Sequence, residues 1–81
     1  MKYKSRYRRG MMELKGRLTM KREDAGRLLK ELGEELLRTG RLTYPAEFGE
    51  ARSISTPESL YVEIEYKEKR DKKKFEIELE W

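Results

Sequence analysis

Residues 60–81 read LYVEIEYKEKRDKKKFEIELEW. Leu60, Val62, Ile64 and Tyr66 occupy alternate positions, as do Phe75, Ile77, Leu79 and Trp81. Alternation of apolar and polar residues puts one kind on each face of a strand. The charged run between the two halves has the composition of a turn. Matching apolar to apolar sets Tyr66 opposite Phe75, Ile64 opposite Ile77, Val62 opposite Leu79 and Leu60 opposite Trp81, with the turn at Arg70 and Asp71. The result is a long C-terminal hairpin with one uniformly apolar face, which must be covered.

The same register sets Glu65 opposite Glu76 and Glu63 opposite Glu78, with Glu80 beyond them. Like charges directly opposite each other destabilise a ladder, so this acidic face calls for a counter-charge. Upstream, Met12, Leu14 and Leu18 alternate with Glu13, Lys15 and Arg17, and Gly16 fills the remaining inward slot. This predicts a strand over residues 11–18, whose Lys15 and Arg17 would offset the acidic ladder if it paired beside the hairpin. A basic partner surface, the chain's own N-terminus included, is the alternative. A divalent cation is a third, though nothing has EF-hand spacing and no metal is expected.

Between these elements, Ala25, Leu28, Leu29, Leu32 and Leu36 recur at helical spacing. Thr19 offers an N-cap oxygen, Glu23 and Asp24 suit the first turn, Arg38 suits the last, and Gly40 stands at C′. An amphipathic helix over 20–39 is expected. Gly26 and Gly33 share one flank of it with Leu37, which implies close approach to a sheet or a helix contact between protomers. Arg41 to Tyr44 and Arg52 to Thr56 read as short strands, closed by Pro45 and Pro57, with a loop at 45–51. The fold class is therefore α+β: a single amphipathic helix packed on a mostly antiparallel sheet of four to five strands ending in a long hairpin. Residues 1–10 form a basic arm, expected to be disordered, and residues 11–81 form one α+β domain.

Charge separates the two parts. The 81 residues hold 20 Lys+Arg and 16 Asp+Glu, a net charge of +4. Lys2, Lys4, Arg6, Arg8 and Arg9 supply +5, so the remaining 15 bases and 16 acids leave residues 10–81 at −1. Tyr3 and Tyr7 lie among those bases. Basic and aromatic residues together suit phosphate contact and base stacking. Lys69, Arg70, Lys72 and Lys73, flanked by Lys67 and Lys74, would form a second basic patch at the hairpin tip. The competing roles are a solvated tail and a charged turn that blocks edge pairing.

The chain has no His and no Cys, and Asn and Gln are also missing. An imidazole base, a thiol nucleophile and a zinc finger are thereby excluded. The serines have no His to activate them, and no glycine-rich phosphate loop follows a strand. No catalytic residue, cofactor or bound metal is expected. Abundant Glu, Lys and Arg without Asn, Gln or Cys is a heat-adapted composition. No apolar run reaches the ~18 residues of a membrane span, so a cytoplasmic protein without membrane partners is expected.

The runs MKREDAGRLLKELGEELLRTGRL at 20–42 and TPESLYVEIEYKEKRDKKKFEIELEW at 56–81 resemble the amphi-Trp domain, a small archaeal and bacterial family. The resemblance spans residues 12–81 and rests on the helix stripe followed by Gly40, on Pro57 before the strand, and on the terminal EIELEW. It implies one helix followed by an amphipathic hairpin closing on Trp, and supplies no catalytic residues. Trp81 reads first as a plug at the core or rim, and alternatively as an anchor for a partner. The expected function is a non-catalytic protein-interaction or structural module, self-associating as a dimer, with Gly26, Gly33, Leu37 and Trp81 as candidate contacts. The alternative is nucleic-acid binding by Lys2, Tyr3, Lys4, Arg6, Tyr7, Arg8 and Arg9 together with the hairpin tip.

Overall fold

The computed structural model describes residues 12–81. The order of elements is α1 (Arg22–Thr39), β1 (Arg41–Tyr44), a 3-10 turn (Ala46–Phe48), β2 (Arg52–Ser55), β3 (Tyr61–Lys69) and β4 (Lys72–Glu80). The class is α+β with four antiparallel strands, divided between two ladders, β1–β2 and β3–β4.

Helix α1 ends where the sequence places its end. Gly40 adopts φ 70°, ψ 21°, and its N–H donates to the Leu36 carbonyl 3.0 Å away. The left-handed backbone there is cheap only for glycine. The start differs from expectation. The helix begins at Arg22 after Lys21, whose backbone is extended and whose side chain makes no capping bond; Thr19 lies two residues too early to cap it. Acid–dipole complementarity still holds in the first turn, where Arg27 bonds Glu23 at 3.0 Å and Asp24 at 3.1 Å.

The helix is fastened to β1 by polar contacts as well as by its leucines. The half-buried Glu35 accepts from the Thr43 N–H at 2.9 Å and from the Thr43 hydroxyl at 2.8 Å. Thr56 closes the other end of the small sheet, donating both its N–H (3.0 Å) and its hydroxyl (2.8 Å) to the Gly40 carbonyl. Ser53 and Ser55 both accept from the Arg41 guanidinium, at 2.8 and 2.9 Å. Those two hydroxyls serve the β1–β2 ladder.

The expected strand over 11–18 is absent from the described residues 12–20, which form no ladder. This stretch runs beside the 3-10 turn. A Cβ on Gly16 would collide with the Phe48 carbonyl oxygen and stand 2.9 Å from its carbon. Gly16 therefore marks a close approach to Phe48, where the alternation pattern implied an inward slot in a sheet. Lys15 and Arg17 do not flank the hairpin in a common ladder, so the expected offset of its acidic face does not arise there.

Among the described residues none is buried, and the half-buried set runs through Leu28, Leu32 and Leu36 of α1 and Leu42 and Ile54 of the small sheet. The radius of gyration is 14.9 Å, against about 11–12 Å for a compact domain of this length. The excess reflects a long hairpin standing partly clear of the helical layer.

Candidate interaction surface

The hairpin register matches the sequence expectation: Tyr66 pairs with Phe75, Ile64 with Ile77 and Val62 with Leu79, with Arg70 and Asp71 in the turn. The Tyr66 and Phe75 rings lie 6.4 Å apart at 49°, within the range of favourable tilted aromatic pairs. This apolar face is largely open to solvent. Ile64 is 64% exposed, Phe75 65% and Tyr66 53%. Only Leu60 and Leu79, near the base, are half-buried.

Ile77 and Leu79 of β4 form one wall of an apolar cavity of about 410 Å³, faced by Leu32 and Leu36 of α1 and by Leu42 and Ile54 of the small sheet. The helix stripe and the hairpin thus face each other at the base of β4 without closing into a core. Trp81 is 56% exposed and Leu37 90% exposed. At that exposure Trp81 does not plug a core among the described residues, which corrects the first reading of it. Gly26 and Gly33 have open space where a Cβ would stand. Neither marks a close approach among the described residues.

The opposite face of the hairpin is segregated by sign. Glu63 pairs with Glu78 and Glu65 with Glu76 near the base; Lys67 pairs with Lys74 and Lys69 with Lys72 toward the tip. Compensation runs along the strands, with Lys67 Nζ 3.6 Å from Glu65 Oε2 and Lys74 Nζ 3.3 Å from Glu76 Oε2. Such half-exposed pairs contribute about 0–1 kcal/mol each, so four like-charge pairs are only partly offset. The sequence reading found the glutamates and overlooked the two lysine pairs, although the same register generates both.

At the tip, Lys67, Lys69, Lys72 and Lys74 line one concavity of about 110 Å³. Arg70 sits in the turn, and Lys73 pairs with Glu68 on the other face. The candidate tip residues are therefore divided between faces. Lys2, Tyr3, Lys4, Arg6, Tyr7, Arg8 and Arg9 lie outside the described residues. No group of three or more carboxylates among the described residues is placed to hold a metal ion. No helix among them is long and apolar enough to cross a membrane.

Comparison with curated proteins and with solved structures returns no match. Residues 9–81 match the Amphi-Trp domain, the family that the helix and the terminal hairpin closing on Trp81 resemble, and the chain belongs to that family.

Proposed function

We propose that the protein is a small, non-catalytic interaction module that associates with a second copy of itself. The observation that carries this is the open apolar face of the hairpin, in a chain whose described residues include none that is buried. Tyr66 and Phe75, each more than half exposed, bring roughly 150–250 Å² of side-chain surface apiece, and the equally exposed Val62, Ile64 and Ile77 extend the patch to a few hundred Å². A standard interface takes about 800 Å² per partner. Exposed apolar patches of this size mark interaction sites on soluble chains, and an isolated two-stranded hairpin is marginal in water. Leu37 and Trp81 add exposed apolar surface at other points. A composition that is 44% charged and free of cysteine supports a cytoplasmic setting.

Light scattering coupled to size exclusion tests self-association. The expected outcome is a molar mass that rises with concentration from 9.8 kDa toward twice that value. A mass that stays at the monomer value at every concentration contradicts it.

Nucleic-acid binding is supported by a separate observation, the four lysines sharing one concavity at the hairpin tip. Its signature is affinity that falls steeply with salt. Labelled RNA that binds equally at low and moderate salt, or not at all, removes that alternative.

A further inference from the structure

We propose that two copies of the chain join along the outer edge of β3, antiparallel and two-fold symmetric about Tyr66, so that their hairpins form one four-stranded sheet. This rests on the self-association proposed above and adds a strand edge to it: the joined sheet carries the two apolar faces side by side as one continuous surface.

The order of charge along β3 carries the inference. On the polar face the strand reads Glu63, Glu65, Lys67, Lys69, and the sign changes at Tyr66. Within one hairpin, β4 meets this series with its own like charges, glutamate against glutamate and lysine against lysine. An antiparallel second copy reverses the match. Centred on Tyr66, it sets Glu65 against Lys67 of the second copy and Glu63 against Lys69 of the second copy, and symmetry repeats both pairs. Opposite-charge neighbours across strands stabilise a ladder, and like charges destabilise it.

The other registers fail by the same rule. A shift by two positions in one direction places Glu65 against itself, and in the other direction Lys67 against itself. A shift by one turns the apolar residues to the polar side. On the apolar face, the chosen register brings Tyr66 beside its own symmetry mate and Ile64 beside the aliphatic stem of Glu68.

Placement in the fold selects β3 over β4. Both strands lack an outer partner among the described residues. Ile77 and Leu79 of β4, however, line the cavity shared with α1 and the small sheet, and no β3 residue does. The stretch of β4 from Phe75 to Glu78 also borders a cleft closed on its far side by Gly16 and Phe48; of β3 only Glu63 and Glu65 reach it. The β4 edge is thus turned toward the rest of the described chain, and no described strand pairs with the outer edge of β3, which can receive one. The result is an isologous interface that closes on itself.

Single cysteines test the register without disturbing charge, because the chain has no cysteine of its own. Directly opposed strand residues have Cα atoms about 5 Å apart, within disulfide reach. Under mild oxidation Tyr66→Cys is expected to give a covalent dimer, while Ile64→Cys, displaced along the strand from its own mate, does not. Cross-linking by Ile64→Cys in preference to Tyr66→Cys overturns the proposal.

Charge exchange tests the ladder. K67E/K69E and E63K/E65K each replace like-charge pairs with opposite ones inside their own hairpin, so neither weakens the folded monomer there. Each alone is expected to lose at least tenfold in dimer affinity, and an equimolar mixture is expected to recover a heterodimer. If the wild-type chain is monomeric throughout, self-association itself fails. If the wild type dimerises and both variants dimerise alone as tightly as it does, self-association stands and the β3 edge is excluded.

Discussion

At the scale of single residues, three positions hold the helical layer by specific chemistry. Glu35 satisfies two donors of Thr43 with one carboxylate. Replacing it by Ala leaves a part-buried N–H and hydroxyl without that acceptor, which costs about 1–3 kcal/mol when a partner is removed. Urea denaturation of Glu35→Ala should show the loss as a lower midpoint at unchanged slope. Gly40, at φ 70°, is legible from sequence because a glycine following an amphipathic stripe is the usual helix stop. Gly40→Ala should cost about 1 kcal/mol, again read from the denaturation midpoint. Gly16 was legible only as a gap in an alternating pattern. Its contact with Phe48 joins residues far apart in the chain, which no local pattern encodes.

At the scale of elements, the hairpin was the most readable part of the chain and the stretch before the helix the least. Tyr66 against Phe75 follows from matching apolar residues around a charged turn, since a slip by one residue would invert every side chain. Residues 12–20 show the same alternation over fewer positions and form no strand, because a strand needs a neighbouring edge and this segment lies against a turn. Helix α1 lacks a side-chain cap at Lys21, whose extended backbone has the geometry of an N-cap residue. Lys21→Ser should therefore stabilise the fold by about 0.5–1 kcal/mol, seen as a raised midpoint in thermal or urea melts. Gly26→Ala and Gly33→Ala meet no neighbouring atom and should each add up to about 1 kcal/mol. A stability gain with unchanged molar mass would place the protomer contact elsewhere than on this helix flank.

At the scale of the whole molecule, a chain with no buried residue among those described has little of the burial that ordinarily offsets conformational entropy. Association as proposed would add contacts along the seam, and anything that binds the native state alone raises its apparent stability by mass action. The denaturation midpoint of the wild-type chain should accordingly rise with protein concentration. A midpoint constant over a hundredfold range would show that the monomer is stable without a partner.

The sequence by itself determined the elements whose information is local: the helix with its glycine stop, the two short strands, and the hairpin with its register. Periodicity and turn chemistry act over a few neighbouring residues, and the chain states them directly. Tertiary structure alone decided that the four strands form two ladders, that Gly16 lies against Phe48, and that Ile77 and Leu79 of β4 border the cavity shared with α1 and the small sheet. Those outcomes depend on which of several compatible surfaces meet. Charges and apolar faces with more than one acceptable neighbour do not specify that choice one strand at a time.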